Sequence, residues 1–92
     1  MKSIDFKSFV MPSDVSGKQT VTCDLRESIA NVIYCKMGGI KAHSLALKIY
    51  RSEGMTEYSD SDVDLIRMAV NRWCMPCVID GLELQLKEKV EV

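Results

Sequence analysis

The residues with the greatest chemical potential sit within one short run, Trp73-Cys74-Met75-Pro76-Cys77. Two thiols separated by two residues can cycle between dithiol and disulfide. A thiolate at a helix amino terminus attacks a substrate disulfide, releasing one substrate thiol and forming a mixed disulfide, which the second cysteine resolves by displacing the other substrate thiol. On this reading Cys74 is the nucleophile and Cys77 the resolving thiol. A second reading treats both as small, half-buried groups at a corner between two helices, with Pro76 opening the second helix. Zinc is a third reading. Cys23, Cys35, Cys74, Cys77 and His43 are enough soft donors for a tetrahedral site. Only Cys74 and Cys77 form a close pair, whereas structural zinc sites usually use two.

His43 is the sole histidine and could act as a base, but no serine or aspartate is placed by sequence to work with it. Gly38-Gly39-Ile40-Lys41 precedes a helical pattern and could hold an anion on free N–H groups. It lacks the Gly-Lys-Ser/Thr spacing of a phosphate loop, so a helix stop is the simpler expectation.

These side chains need elements to position them. Ile4, Phe6, Ser8 and Val10 share one parity, as do Val21, Cys23 and Leu25, and the link between the two runs is rich in Pro, Ser, Asp and Gly. An antiparallel hairpin over about residues 4–25 is expected. Asp24-Leu25-Arg26-Glu27 fits a capping box that opens a first helix over about 26–37, with Gly38-Gly39 closing it. Ala42, Leu45, Ala46, Ile49 and Tyr50 make the apolar stripe of a second helix over about 41–52. Ser59-Asp60-Ser61-Asp62 is the best helix start in the chain, because Ser59 can cap while the acidic groups meet the positive helix end. A third helix follows over 60–73, after a short extended piece at Thr56-Glu57-Tyr58.

Beyond Pro76 two periods compete. Val78, Ile79, Leu82 and Leu86 fit a helix over about 76–87, whereas Leu82, Leu84, Leu86, Val90 and Val92 alternate as a strand would, with Asp80-Gly81 as a turn. Leu, Glu, Gln and Lys favour the helix. The fold class expected is α+β, an amino-terminal antiparallel hairpin packed on three to four helices in one domain over residues 1–92. Phe6, Val21, Leu25, Ile29, Ile33, Leu45, Ile49, Ile66, Val70, Trp73 and Leu82 form its expected core.

Composition narrows the function classes. The chain has 92 residues, 47% hydrophobic and 27% charged, which suits one globular core. No apolar run approaches the ~20 residues that span a bilayer, and Met1-Lys2-Ser3-Ile4-Asp5-Phe6-Lys7 lacks the continuous apolar segment of a secretory signal. A cytoplasmic location is expected, which also argues against a disulfide framework. Net charge is −1, so there is no global field for nucleic acid or anionic lipid. Residues 59–92 are mildly acidic, with four Lys/Arg against seven Asp/Glu. A helix-turn-helix would aim Asp60, Asp62 and Asp64 at phosphates, which disfavours DNA binding.

Two resemblances bear on function. Trp-Cys-x-Pro-Cys at 73–77 resembles the thioredoxin-type redox motif. That fold places the motif after a buried strand and keeps a second, downstream proline beside the disulfide. Here residues 61–72 have a helical pattern, and Pro12 and Pro76 are the only prolines. The order of features over roughly residues 4–86 resembles a group of small phage- and prophage-encoded proteins. The likeness lies in the hairpin, the segment Ile29-Ala30-Asn31-Val32-Ile33, the helix Leu45-Ala46-Leu47-Lys48-Ile49, the acidic start Glu57 to Ile66, and Pro76 with Gly81. It implies a role in virion or tail assembly and assigns no site residue, cofactor or metal. The combined expectation is a non-enzymatic protein-interaction or assembly module, acting as a homo-oligomer or on a protein partner, cytoplasmic or associated with a virion. A thiol redox protein using Cys74 and Cys77 and a small zinc domain are the alternatives.

Overall fold

The structure, a computed structural model, describes residues 2–88. Strand β1 (Lys2–Asp5) ends at Asp5, whose carboxylate accepts hydrogen bonds from the N–H groups of Lys7 and Ser8, both at 2.9 Å. This side-chain turn bends the chain over Phe6-Lys7-Ser8, and β2 (Phe9–Pro12) sets off in a new direction. The single strand expected over residues 4–10 is therefore two. Phe6 and Phe9 are both fully buried while Val10 is 41% exposed, the reverse of what unbroken alternation requires.

The hairpin consists of β2 and β3 (Thr20–Cys23), antiparallel with Phe9 opposite Cys23 and Pro12 opposite Thr20. Strand β1 instead pairs antiparallel with β4 (Met55–Tyr58), placing Lys2 opposite Tyr58 and Asp5 opposite Met55. Two two-stranded sheets result. Helix α1 spans Arg26–Lys36 and α2 spans Ile40–Tyr50. Helix α3 covers Asp60–Trp73 and α4 covers Pro76–Glu88. The α+β class and the four-helix complement agree with the sequence reading. Residues 89–92, including Val90 and Val92 of the competing strand pattern, lie outside the described residues.

Capping follows the sequence at α3 and departs from it at α1. The Ser59 hydroxyl accepts from the Asp62 N–H at 3.2 Å, the bond that satisfies a first-turn donor. At α1 the cap position falls to Leu25, which has no side-chain cap. Asp24 lies one residue earlier, where its carboxylate accepts from the backbone N–H and the guanidinium of Arg26, so the box with Glu27 does not form. The first helix also ends without help from glycine: Met37 is extended, its N–H bonded to the Ile33 carbonyl. Gly39, at φ +100°, serves as the cap of α2, a backbone conformation that residues with a Cβ rarely adopt.

Helix α4 lies across both sheets, touching β1 and β2. Gly81 makes this possible. A Cβ at that position would stand 2.7 Å from the Val10 carbonyl oxygen, 2.8 Å from Phe9 Cε2 and 2.9 Å from Met11 Cβ. One turn on, the Gln85 side chain accepts from the Asp5 N–H at 2.9 Å and donates to the Asp5 carbonyl at 3.2 Å, occupying the strand's free edge. Arg67 on α3 grips Glu83 on α4 through two hydrogen bonds of 3.1 and 3.2 Å.

Phe6 and Phe9 stack with centroids 5.8 Å apart, and Tyr58 meets Phe6 edge-on at 6.0 Å. Ile4, Ile29, Ile33, Leu45, Ile49, Ile66, Val70 and Leu82 complete the centre. Two expected core members, Val21 and Leu25, are only half-buried. Trp73 is 39% exposed: α3 stops at this residue, and the Arg72 guanidinium lies over the indole, 5.4 Å from its centroid.

Candidate interaction surface

Helices α1 and α2 pack side by side, burying Ile29, Ala30 and Ile33 against Ala42, Leu45, Ala46 and Ile49. The small residues Ala30 and Ala46 form the floor of a cleft. Its walls are Glu27, Asn31 and Tyr34 from α1 and His43, Leu47 and Tyr50 from α2. Each wall has i, i+4, i+7 spacing, which puts three side chains on one helix face. Tyr34 lies against His43 with ring centroids 5.6 Å apart. The cleft is open, with a volume of about 320 Å³.

The two tyrosines distinguish this surface. Tyr34 and Tyr50 are each 57% exposed, although tyrosine is a large and mostly apolar side chain. Sequence spacing puts Tyr50 on the core stripe of α2 beside Ile49; in the fold Ala42, Leu45, Ala46 and Ile49 are buried and Tyr50, one residue further round the helix, faces outward. A second depression adjoins the first, lined by Asp24, Arg26, Glu27 and Tyr50. There the Arg26 fork holds Asp24 through bonds of 3.0 and 2.8 Å and also donates to the Ser52 carbonyl at 2.8 Å. This pairing lowers the Asp24 carboxyl to about 2. Glu27 makes no hydrogen bond or ion pair with any described residue; it lies in the first turn of α1, where only the positive helix end offsets its charge.

The sequence candidates fall elsewhere and apart. Cys74 follows the last residue of α3, its N–H donating to the Val70 carbonyl, so it sits at the negative end of that helix. Burial pushes its thiol pKa up, opposite to what an attacking thiolate needs. Cys77 lies in the first turn of α4, and both thiols are free and half-buried. The segment before them is helix, where a thioredoxin-type site has a buried strand. Cys23 is half-buried on β3, and Cys35 is exposed on α1. Among the described residues, no three or more His, Cys, Asp or Glu side chains gather as a metal ion would need. The exposed His43 meets Tyr34 rather than a nucleophile. The segment from Gly38 to Lys41 turns the chain from α1 into α2.

A hairpin leaves strand edges that could pair with another chain, and the edge of β3 is the second candidate surface. It runs for four residues, with Lys18 and Asp24 close to its ends, and short charged edges are how natural sheets discourage pairing with another chain. Tyr34 lies off the Ile29, Val32, Ile33, Met37 stripe of its helix and so carried a sequence signal for the helical cleft, whereas Tyr50 falls on the apolar stripe of its own helix by spacing and carried none. What sequence could not provide was that the two helices face each other. No helix among the described residues is long and apolar enough to cross a membrane. No protein-family model, curated protein or solved structure matches this chain.

Proposed function

We propose that this chain is a non-enzymatic protein-interaction or assembly module whose contact face is the α1–α2 cleft, working in the cytoplasm or within a virion. The observation that carries this reading is the exposure of Tyr34 and Tyr50 above a floor of alanines. Tyrosine is enriched at protein interfaces because it offers a large, rigid contact area at low conformational cost, together with a hydroxyl for the wet rim. The likeness to small phage-encoded proteins supports an assembly role, and neighbouring genes for capsid or tail proteins would strengthen it.

Self-association is the version tested most directly. Light scattering over a wide concentration range is expected to show a dimer or larger species, reduced toward the monomer mass of 10.4 kDa by the double substitution Tyr34→Ser/Tyr50→Ser. A strict monomer at the highest concentration would remove self-association. An oligomer indifferent to the two substitutions would move the contact face elsewhere.

A further inference from the structure

The occupant of the cleft can be named by its chemistry, on the reading that this face binds another chain. We infer that the α1–α2 cleft takes an arginine side chain presented by a partner protein, its guanidinium lying against Tyr50 and paired with Glu27. Size sets the first constraint. At about 320 Å³ the cleft is at the lower end of ligand pockets, which run to ~300–1,000 Å³, and its open form admits one extended side chain rather than a cofactor.

Charge sets the second. Glu27 lines both this cleft and the adjoining depression, as does Tyr50, so carboxylate and ring share one end of the groove. The neighbouring cation, Arg26, is already neutralised by Asp24 and tied to the Ser52 carbonyl, so it neither satisfies Glu27 nor leaves an unpaired positive charge there. Arg51 follows Tyr50 in sequence but does not line the cleft. The end of the groove thus presents an exposed tyrosine ring and a carboxylate without a side-chain partner, and among the described residues no free cation lines it. A cation over an aromatic ring gains from the ring quadrupole, and a carboxylate accepts two parallel N–H bonds from a guanidinium.

Arginine is favoured over lysine because its plane can lie flat on a tyrosine while its edge addresses a carboxylate, which a compact ammonium cannot do. Cations over aromatic rings occur within the molecule with both side chains, Lys48 Nζ 4.7 Å from the Tyr58 centroid and the Arg72 guanidinium 5.4 Å from that of Trp73, so the preference for arginine here rests on its planar fork meeting the carboxylate. Tyr34 and His43 close the far end and would flank the partner's backbone.

The test is a two-dimensional amide NMR titration of the full chain with three blocked tripeptides, Gly-Arg-Gly, Gly-citrulline-Gly and Gly-Lys-Gly. Citrulline keeps the shape of arginine and removes its charge. The arginine peptide is expected to shift amides over residues 26–34 and 43–51, with citrulline and lysine binding about threefold to tenfold more weakly. Glu27→Gln and Tyr50→Ser should each weaken the arginine peptide by a similar factor while leaving the rest of the spectrum unchanged, since both side chains are exposed. Equal binding of citrulline or lysine, shifts spread over the acidic α3 start, or indifference to Glu27→Gln would each overturn the inference. The readout is separate from light scattering. An oligomer that ignores the arginine peptide sinks this inference alone, and a monomer that binds it removes only self-association.

Discussion

Replacing Gly81 with alanine tests how α4 is seated. In an isolated helix the change would help, since alanine is favoured over glycine by about 1 kcal/mol. Here the added carbon would lie 2.7–2.9 Å from the Val10 carbonyl oxygen, the Phe9 ring and Met11 Cβ. Carbon atoms prefer roughly 3.5 Å or more, so α4 must withdraw by about 0.6 Å, and a gap of that size forfeits a quarter to a half of each dispersion contact it opens. The side chains at stake are Val78, Leu82 and Leu86, all buried, each worth ~1.5–3 kcal/mol of burial. Losing about a third of that gives roughly 1.5–3 kcal/mol, and the helix-propensity gain of about 1 kcal/mol leaves a net destabilisation of about 0.5–2 kcal/mol, overlapping the range for overpacked sites. Urea unfolding followed by circular dichroism should then show the midpoint falling by about 0.5–1.5 M at unchanged slope. Asn71→Ala, at an exposed position of α3, should stay within ~0.5 kcal/mol of the parent. A Gly81→Ala protein as stable as the parent, or more so, would refute the close approach of α4 to β2.

Three other outcomes are expected. Ser59→Ala removes the hydroxyl that accepts from the Asp62 N–H and should cost about 1 kcal/mol in the same urea assay, whereas Asp24→Ala should not behave as a cap deletion. Among the described residues the buried Tyr58 hydroxyl has no hydrogen-bond partner: Ser52 and Thr56 lie near enough to temper the rise in its pKa but outside bonding geometry. Burial pushes this phenol up to about 12 from an ordinary 10.0, so the unfolded chain ionises first and stability should fall as pH climbs from about 10 to about 12. Tyr58→Phe should flatten that alkaline loss; a parent and variant with identical pH profiles would contradict it. Cys74 should alkylate more slowly in the folded protein than in the unfolded chain at neutral pH, read by mass spectrometry, since burial raises its pKa. Faster alkylation in the folded state would restore the dithiol reading of Cys74 and Cys77.

Asp5 shows why the amino-terminal strands were misread while the helices were not. Alternation over Ile4, Phe6, Ser8 and Val10 is compatible with one strand, and an aspartate within it carries no unique signal. The carboxylate becomes a turn maker because it bonds the N–H groups of Lys7 and Ser8, while Gln85, from the far end of the chain, takes up the Asp5 backbone. Once the chain bends, β1 needs a different partner, and β4 supplies it. The Thr56-Glu57-Tyr58 piece was visible as extended, but a strand pattern does not name its partner. Trp73 was misassigned for a related reason: periodicity places it on the α3 stripe with Val63, Ile66 and Val70, but cannot say that the covered part of that stripe ends one turn earlier.

The order and extent of the four helices, the Ser59 cap and the Pro76 start were written in the amino-acid string, because helix hydrogen bonds and caps join residues three or four apart and depend on neighbours along the chain. Strand pairing, the demand for no side chain at residue 81, and the meeting of Tyr34, His43, Glu27 and Tyr50 across two helices were decided by tertiary packing. These contacts join groups distant in sequence, and each exists only after the core has brought its elements together.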